Sequence, residues 1–353
     1  MKKLLFSLSF SLLACMALFN ACSTDVELYA DYKDIPVIYG LIDATQDTNY
    51  VRINRAFSGN NDNPINANEV ALIADSCNYP GKLDAKIIEY KSGYGNNFVP
   101  TGRVMVLDTV TIHDKEEGVF YAPDQKVYYT AERFNVNTSN TRYKYRLEVL
   151  KNNDTISAET GVVGGEEFRI ITNVVPFLAN PQPINSTSKI TFKPSDYAVF
   201  YDVKMVFHYK ERHGDNEVEK QVRWDFGPRS IDELDYDDVQ KCYFLKYLDV
   251  SLFSLLEEAI GGDTVINSNH PNVQRYFDNK PIEIMIAAGG DELYNYIQVN
   301  SVSGYSQTVP DYTNIKGGYG VFSSRINITK SVPISGRAQT DLYEKRSWGF
   351  IQQ

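Results

Sequence analysis

Residues 143–160 read YKYRLEVLKNNDTISAET, and this stretch constrains the fold more than any other. Tyr143, Tyr145, Leu147 and Val149 fall two apart, as side chains on one face of a strand do. Asn152, Asn153 and Asp154 supply turn chemistry, because short polar side chains bond locally and tolerate left-handed backbone. Residues 155–160 begin a partner strand. A hairpin with one apolar face needs a second layer to cover it.

The same signals recur upstream. Residues 35–42 are apolar, 43–48 have turn chemistry, and 50–57 alternate with Val51, Ile53 and Phe57 facing inward. Further strands are predicted at 86–90, around Val104, Val106, Thr109 and Thr111, at 118–121 and at 127–130. Residues 66–74 predict a short helix capped by Asn66 or Asn68. Closely spaced strands with short turns predict a β-sandwich over residues 35–173. The 143–160 hairpin resembles the last hairpin of an immunoglobulin-like or fibronectin-like domain. Tyrosine (25) and phenylalanine (18) far outnumber tryptophan (2), which suits strands and half-wet faces.

Residues 174–185 hold Pro176, Pro181 and Pro183 and predict a stiff linker. Residues 186–353 predict an α+β domain: mainly β, with a few short helices. Its strands are expected at 190–192, 199–209, 218–226, 282–288, 321–322 and 325–328. Gly214-Asp215-Asn216 joins two of them as a hairpin turn. Helices are expected at 251–261, capped by Ser251 and ended by Gly261, and at 291–297.

The chain begins with Lys2 and Lys3, an apolar run from 4 to 13, and small residues before cysteine. This is the layout of a secretory signal. Both Leu12-Leu13-Ala14-Cys15 and Phe19-Asn20-Ala21-Cys22 resemble the lipobox of bacterial lipoproteins. Cys15 has the more usual letters. Cys22 is favoured because Ser23-Thr24-Asp25-Val26-Glu27 gives a solvated tether. The organisation expected is signal peptide 1–21, lipidated Cys22 opening a tether to residue 34, then the two domains. An uncleaved anchor and an ordinary cleaved signal are the alternatives; residues 4–21 just reach spanning length.

Net charge is −10, and no Lys/Arg cluster with interleaved aromatics appears, so nucleic acid is not an expected partner. With Cys15 and Cys22 assigned to the leader and the lipid, Cys77 and Cys242 remain, either as free thiols or as a disulfide permitted by export.

Chemical motifs are sparse. His208 and His213 are five apart on a strand, which sends them to opposite faces rather than to one metal. The loop 58–63, SGNNDN, lacks the calcium-loop pattern and reads as a turn. No phosphate-binding glycine loop and no nucleophile elbow is present. No metal, cofactor or catalytic residue is assigned, and no enzyme is expected. Tyr294, Tyr296, Tyr305, Tyr312 and Tyr319 crowd one region and are candidate contacts for a glycan, a peptide or a protein partner, with core filling as the alternative.

Three stretches taken together are similar to a known set of proteins: PVIYGLI with YVRINRAF, YRLEV with SAET, and YTNIKGGYGVF at 312–322. They resemble an uncharacterised domain-of-unknown-function family of Bacteroidetes outer-membrane lipoproteins. In that family an early hairpin follows the lipidated cysteine and an Asn-Ile-x-Gly-Gly-x-Gly-x-Phe stretch lies near the C-terminus. Gly317, Gly318 and Gly320 are then expected to serve a tight backbone path. Members are often encoded beside TonB-dependent transporters. The resemblance implies a lipid-anchored outer-membrane protein, periplasmic or cell-surface, that assists such a transporter. A surface adhesin or assembly subunit, and a hydrolase with a site assembled from distant residues, are the alternatives.

Overall fold

The computed structural model describes residues 34–56, 72–93, 97–113, 122, 124–261, 273–302, 312–344 and 348–352. The expected leader with Cys15 and Cys22, Phe57, the loop 58–63, most of the 66–74 helix, the 118–121 strand and Tyr305 lie outside these residues. Among the described residues no helix is long and apolar enough to cross a membrane.

The chain is mainly β with a few short helices. The strands of its first half are β1 (Pro36–Ile42), β2 (Asn49–Arg55), β3 (Asp84–Ser92), β4 (Phe98–Val106), β5 (Asp108–Ile112), β6 (Gln125–Thr130), β7 (Tyr143–Lys151) and β8 (Asp154–Gly161). They form two layers, ordered β1-β2-β6-β5 and β4-β3-β7-β8. Every pairing within the two layers is antiparallel. This is the strand order of immunoglobulin-type sandwiches. Ile38, Ile53, Ile87, Leu147 and Val149 fill the space between the layers. Alternation puts them there: each lies two residues from another inward side chain. The 143–160 pattern is therefore borne out as β7 and β8, with Asn152 taking a left-handed φ of 55° at the turn.

Tyr145 fixes the crossing into β7. Its hydroxyl accepts the Asn135 backbone N–H at 2.8 Å and donates to the Glu89 carboxylate at 2.7 Å. A buried tyrosine bonding back to backbone upstream of this strand is the tyrosine corner of such sandwiches.

The second half adds β9 (Thr187–Phe192), β10 (Phe200–His213), β11 (Asn216–Ser230), β12 (Asp235–Asp237), β13 (Cys242–Leu248), helix α1 (Ser251–Gly261), β14 (Val273–Tyr276), β15 (Ile282–Gly289), helix α2 (Asp291–Val302), β16 (Tyr319–Val332) and helix α3 (Gly336–Glu344). The sheet β11-β10-β15-β16 faces the small sheet β12-β13-β9. Between them lies a second core rich in aromatics, including Phe177, Phe192, Tyr201 and Phe207, closed by Leu252 and Leu256 of α1 and Leu342 of α3. β12, β13, β14 and α3 have no counterpart in the sequence reading. Residues 321–322 and 325–328 are one long strand rather than two.

Two corrections concern the domain organisation. Residues 174–185 are not a free linker. Val175 and Phe177 are fully buried in the second core. The Val175 and Leu178 N–H groups bond to the carbonyls of Pro333 and Asp249. Prolines there mark irregular backbone, but the apolar side chains between them decide where it goes. The changeover of cores comes earlier, between Val162 of the first and Val163 of the second.

The division 35–173 and 186–353 also fails at the far end. The first six residues of β16 pair parallel with β1, from Val37–Tyr319 to Ile42–Ser324. Its remaining eight pair antiparallel with β15, from Gly289–Arg325 to Ile282–Val332. Ile315 and Phe322 belong to the first core and Ile326 to the second. One strand thus serves both bodies, and the sheet runs continuously through it.

Candidate functional site

The glycine-rich stretch makes that shared strand possible. Gly317 and Gly320 have φ values of +84° and +109°, a region that strains any side chain. A Cβ on Gly320 would lie 2.0 Å from the Ile38 carbonyl oxygen, and one on Gly318 would lie 2.7 Å from that of Pro36. The expected tight backbone path is therefore an approach of β16 to β1 that only glycine allows. Asn314 locks it: its side chain donates to the Phe322 carbonyl at 2.7 Å and accepts the Phe322 N–H at 3.0 Å.

Helix α2 packs on β16, on the face away from the first core. The Leu293 N–H donates to the Ser323 hydroxyl at 3.2 Å. Glu292 accepts from Ser323 and Thr160, each at 3.0 Å. Burial pushes the Glu292 carboxyl above its ordinary range, and the two hydroxyls offset this only in part.

The tyrosines of 294–319 separate into different roles. Tyr294 packs on Phe200, with ring centroids 5.6 Å apart. Tyr312 bonds to the side chain of Asn295. Tyr296 reaches down from α2 to β1, its hydroxyl 3.3 Å from that of Tyr39 and its ring edge-on to the Tyr39 ring. Burial first, and then the bond to Tyr39, push the Tyr296 phenol up to about 12, so it stays a neutral donor. Tyr319 is 45% exposed at the start of β16.

Tyr296 and Tyr319 thus join residues that sequence reasoning missed. In register, Tyr39 of β1 stands opposite Arg52 of β2, and Tyr50 of β2 opposite Tyr129 of β6. Tyr319 stands opposite Val37, on the same side as Tyr39. Side chains in register share a face. Tyr319, Tyr39, Arg52, Tyr50 and Tyr129 therefore cross four neighbouring strands on the outer face. With strands spaced about 4.8 Å apart, the strip spans about 14 Å. Tyr50 is 49% exposed, and its ring lies 6.4 Å from that of Tyr129.

Arg52 is the one charge of this strip. Its guanidinium carbon stands 4.9 Å from the centre of the Tyr39 ring. Its Nε is shielded and has no hydrogen-bond partner. Arg103 and Arg275, by contrast, meet the carboxylates of Glu89 and Glu211. The missed signal was the alternation itself. With Val51 and Ile53 inward, Tyr50 and Arg52 must point outward.

The other candidates fall elsewhere. His208 lies beside Glu283 and His213 beside Glu211. Among the described residues no group of three His, Cys, Asp or Glu side chains is arranged to hold a metal. Cys77 and Cys242 are both free thiols, one of the two alternatives the sequence left open. Cys77 follows the first body's Asn54, whose side chain donates to its carbonyl, and Cys242 is buried on β13 of the second body. Neither a family model nor a curated protein matches this chain.

Proposed function

We propose that this chain is a lipid-anchored binding protein of the outer membrane. Acyl chains on Cys22 hold it to the bilayer, and it assists a TonB-dependent transporter in capturing a nutrient by binding rather than by catalysis. The signal-like leader, the cysteine and the polar tether support the location. The observation that carries the binding role is the outer-face strip of tyrosines around Arg52. Exposed tyrosines on a rigid sheet offer large contact area at little cost in side-chain freedom. Confinement to a membrane plane raises the effective concentration near a transporter in the same plane.

The test is affinity isolation of the tagged full chain from native membranes, followed by mass spectrometry. A diacyl or triacyl Cys22 peptide and a stoichiometric transporter are expected. An unmodified thiol at residue 22, or a peptide that retains Met1, overturns the anchor. A second reading, an assembly subunit, draws on β4. This edge strand of the four-stranded layer exposes Val99, Val104 and Val106 and is open to pairing with another chain. Isolation of copies of this chain alone favours that reading.

A further inference from the structure

β11 is the outermost strand of the nine-stranded sheet. Its inward side chains fall two apart at Val222, Trp224 and Phe226, and all three pack on the second core. An edge strand has a neighbour on one side only, so this row is covered unevenly. Val222 is 7% exposed, whereas Trp224 and Phe226 are only half-buried. Their rings lie 4.3 Å apart, and both meet Tyr247 of the facing layer. Each of the two rings lines a cleft. Trp224 lines one of about 300 Å³, with Ser251, Ser254 and Glu258 of α1 beside it. Phe226 lines one of about 250 Å³, with Arg229, Glu233, Asp235 and Lys246. Together they reach the size of small-molecule sites.

Aromatic rings among polar walls select a ligand that carries both kinds of surface. An apolar ligand would take water from Glu258 and from four charged side chains and return no bond. The charges of the Phe226 cleft balance, two cations against two carboxylates, with Lys246 on Asp235 at 3.0 Å. No excess of cations draws an anion there, and the net charge of −10 opposes one. Arg229 and Lys246 in turn oppose a cation. The centre of a protein interface is depleted in charge, which this lining is not. A neutral sugar meets every condition. Its C–H face suits the negative face of an aromatic ring, and each hydroxyl both donates and accepts. We propose that these clefts bind a neutral oligosaccharide, with one sugar ring on Trp224 donating hydroxyls to Glu258 and a neighbouring unit on Phe226. The site lies on the second body and stands whether or not the outer-face strip docks a transporter.

The chain has two tryptophans, and Trp348 is 4% exposed in the second core. Trp348→Phe therefore leaves Trp224 as the sole indole and a direct reporter of its cleft. The full chain, purified in a sugar-free detergent, is screened on an array of neutral glycans, acidic glycans and peptides. Binders are then titrated by calorimetry, and by fluorescence of the Trp348→Phe chain. A neutral glycan is expected to bind and to shift the Trp224 emission, and its acidic counterpart to bind no more tightly. Trp224→Ala should weaken the glycan about tenfold or more. Because Trp224 also packs on the core, Glu258→Ala supplies a second variant on an exposed position of α1, with a loss of about tenfold. Val110→Ser, exposed on the sandwich, should change nothing. Melting curves show that the variants compared are folded. An array on which no neutral glycan binds overturns the proposal, as does an affinity indifferent to both Trp224→Ala and Glu258→Ala. A Trp224 shift produced by peptides alone also overturns it and assigns the clefts to a protein partner.

Discussion

Among the described residues, one glutamate in each body is almost wholly inaccessible, and the two solve the same electrostatic problem differently. In the sandwich, Glu89 spreads its charge over many weak partners. Tyr145, Asn135 and Thr101 donate at 2.7, 2.8 and 3.0 Å, and Arg103 stands at 3.4 Å with a third of its side chain in water. In the second body, Glu211 concentrates its charge on Arg275, which reaches it with Nη2 at 2.6 Å and Nε at 2.8 Å. Both side chains of that pair are nearly inaccessible, at 1% and 4% exposed. His213 lies 2.6 Å away on the solvent side. A network tolerates the loss of one member, whereas a buried pair does not.

The largest effect should follow from breaking the pair. Arg275→Ala is expected to cost about 3–5 kcal/mol, because Glu211 loses both guanidinium contacts inside the core and keeps only His213 on the solvent side. Urea denaturation measures it, and replacing both partners together with Met and Leu should recover most of the loss. Next comes the joint between the bodies. Gly320→Ala places a methyl group against the Ile38 carbonyl at positive φ, where strain alone costs about 1–3 kcal/mol. Separate probes in the two cores should then report two transitions. A single coincident transition would show that the shared strand does not couple them. Smaller still is Tyr145→Phe, expected to cost about 1 kcal/mol, since Glu89 keeps three partners. A cost equal to that of Arg275→Ala would erase the distinction between network and pair.

The smallest effect is on pH dependence, and Glu211 and Glu292 differ in sign. Burial alone would raise Glu211, but the bonds from His213 and Arg275 and the charge of Arg275 outweigh it and hold the carboxyl below its ordinary 4.5. Its contribution is present above that value and is lost as pH falls through the lowered one. Glu292, raised by burial, contributes fully below 4.5 and loses its effect as pH climbs through the raised value. Glu292→Gln should therefore flatten the upper part of the stability–pH profile and leave the acid limb unchanged. A flattened acid limb would show that Glu292, and not Glu211, carries that slope.

What the chain's alternation governs was legible beforehand. β1, β2, β3, β7, β8, β10, β11 and α1 follow from period, turn residues and caps, because those signals act within a few residues. The resemblance to an immunoglobulin-type hairpin held because β7 and β8 carry both the inward face and the tyrosine corner. The pairing of β1 with β16 was not legible. It joins residues at opposite ends of the sequence, and its only local trace is Gly-Gly-Tyr-Gly, which reads as a turn until Pro36 and Ile38 are seen against it. The linker was misplaced for a related reason: Pro176 and Pro181 are local signals, whereas the burial of Val175 and Phe177 depends on distant strands. The strip was half legible. Tyr296 and Tyr319 were singled out by crowding, but Arg52 gains meaning only from Tyr39 across the strand pair.

The order in which the chain is made now matters. Ribosomes deliver β1 among the first folded residues and β16 among the last, yet the two are neighbours, with Val37 against Tyr319. The outer edge of β1 stays unpaired until residues 319–324 exist, and late long-range contacts of this kind slow folding. A chain still being made would therefore stay pliable until residues 319–324 had emerged.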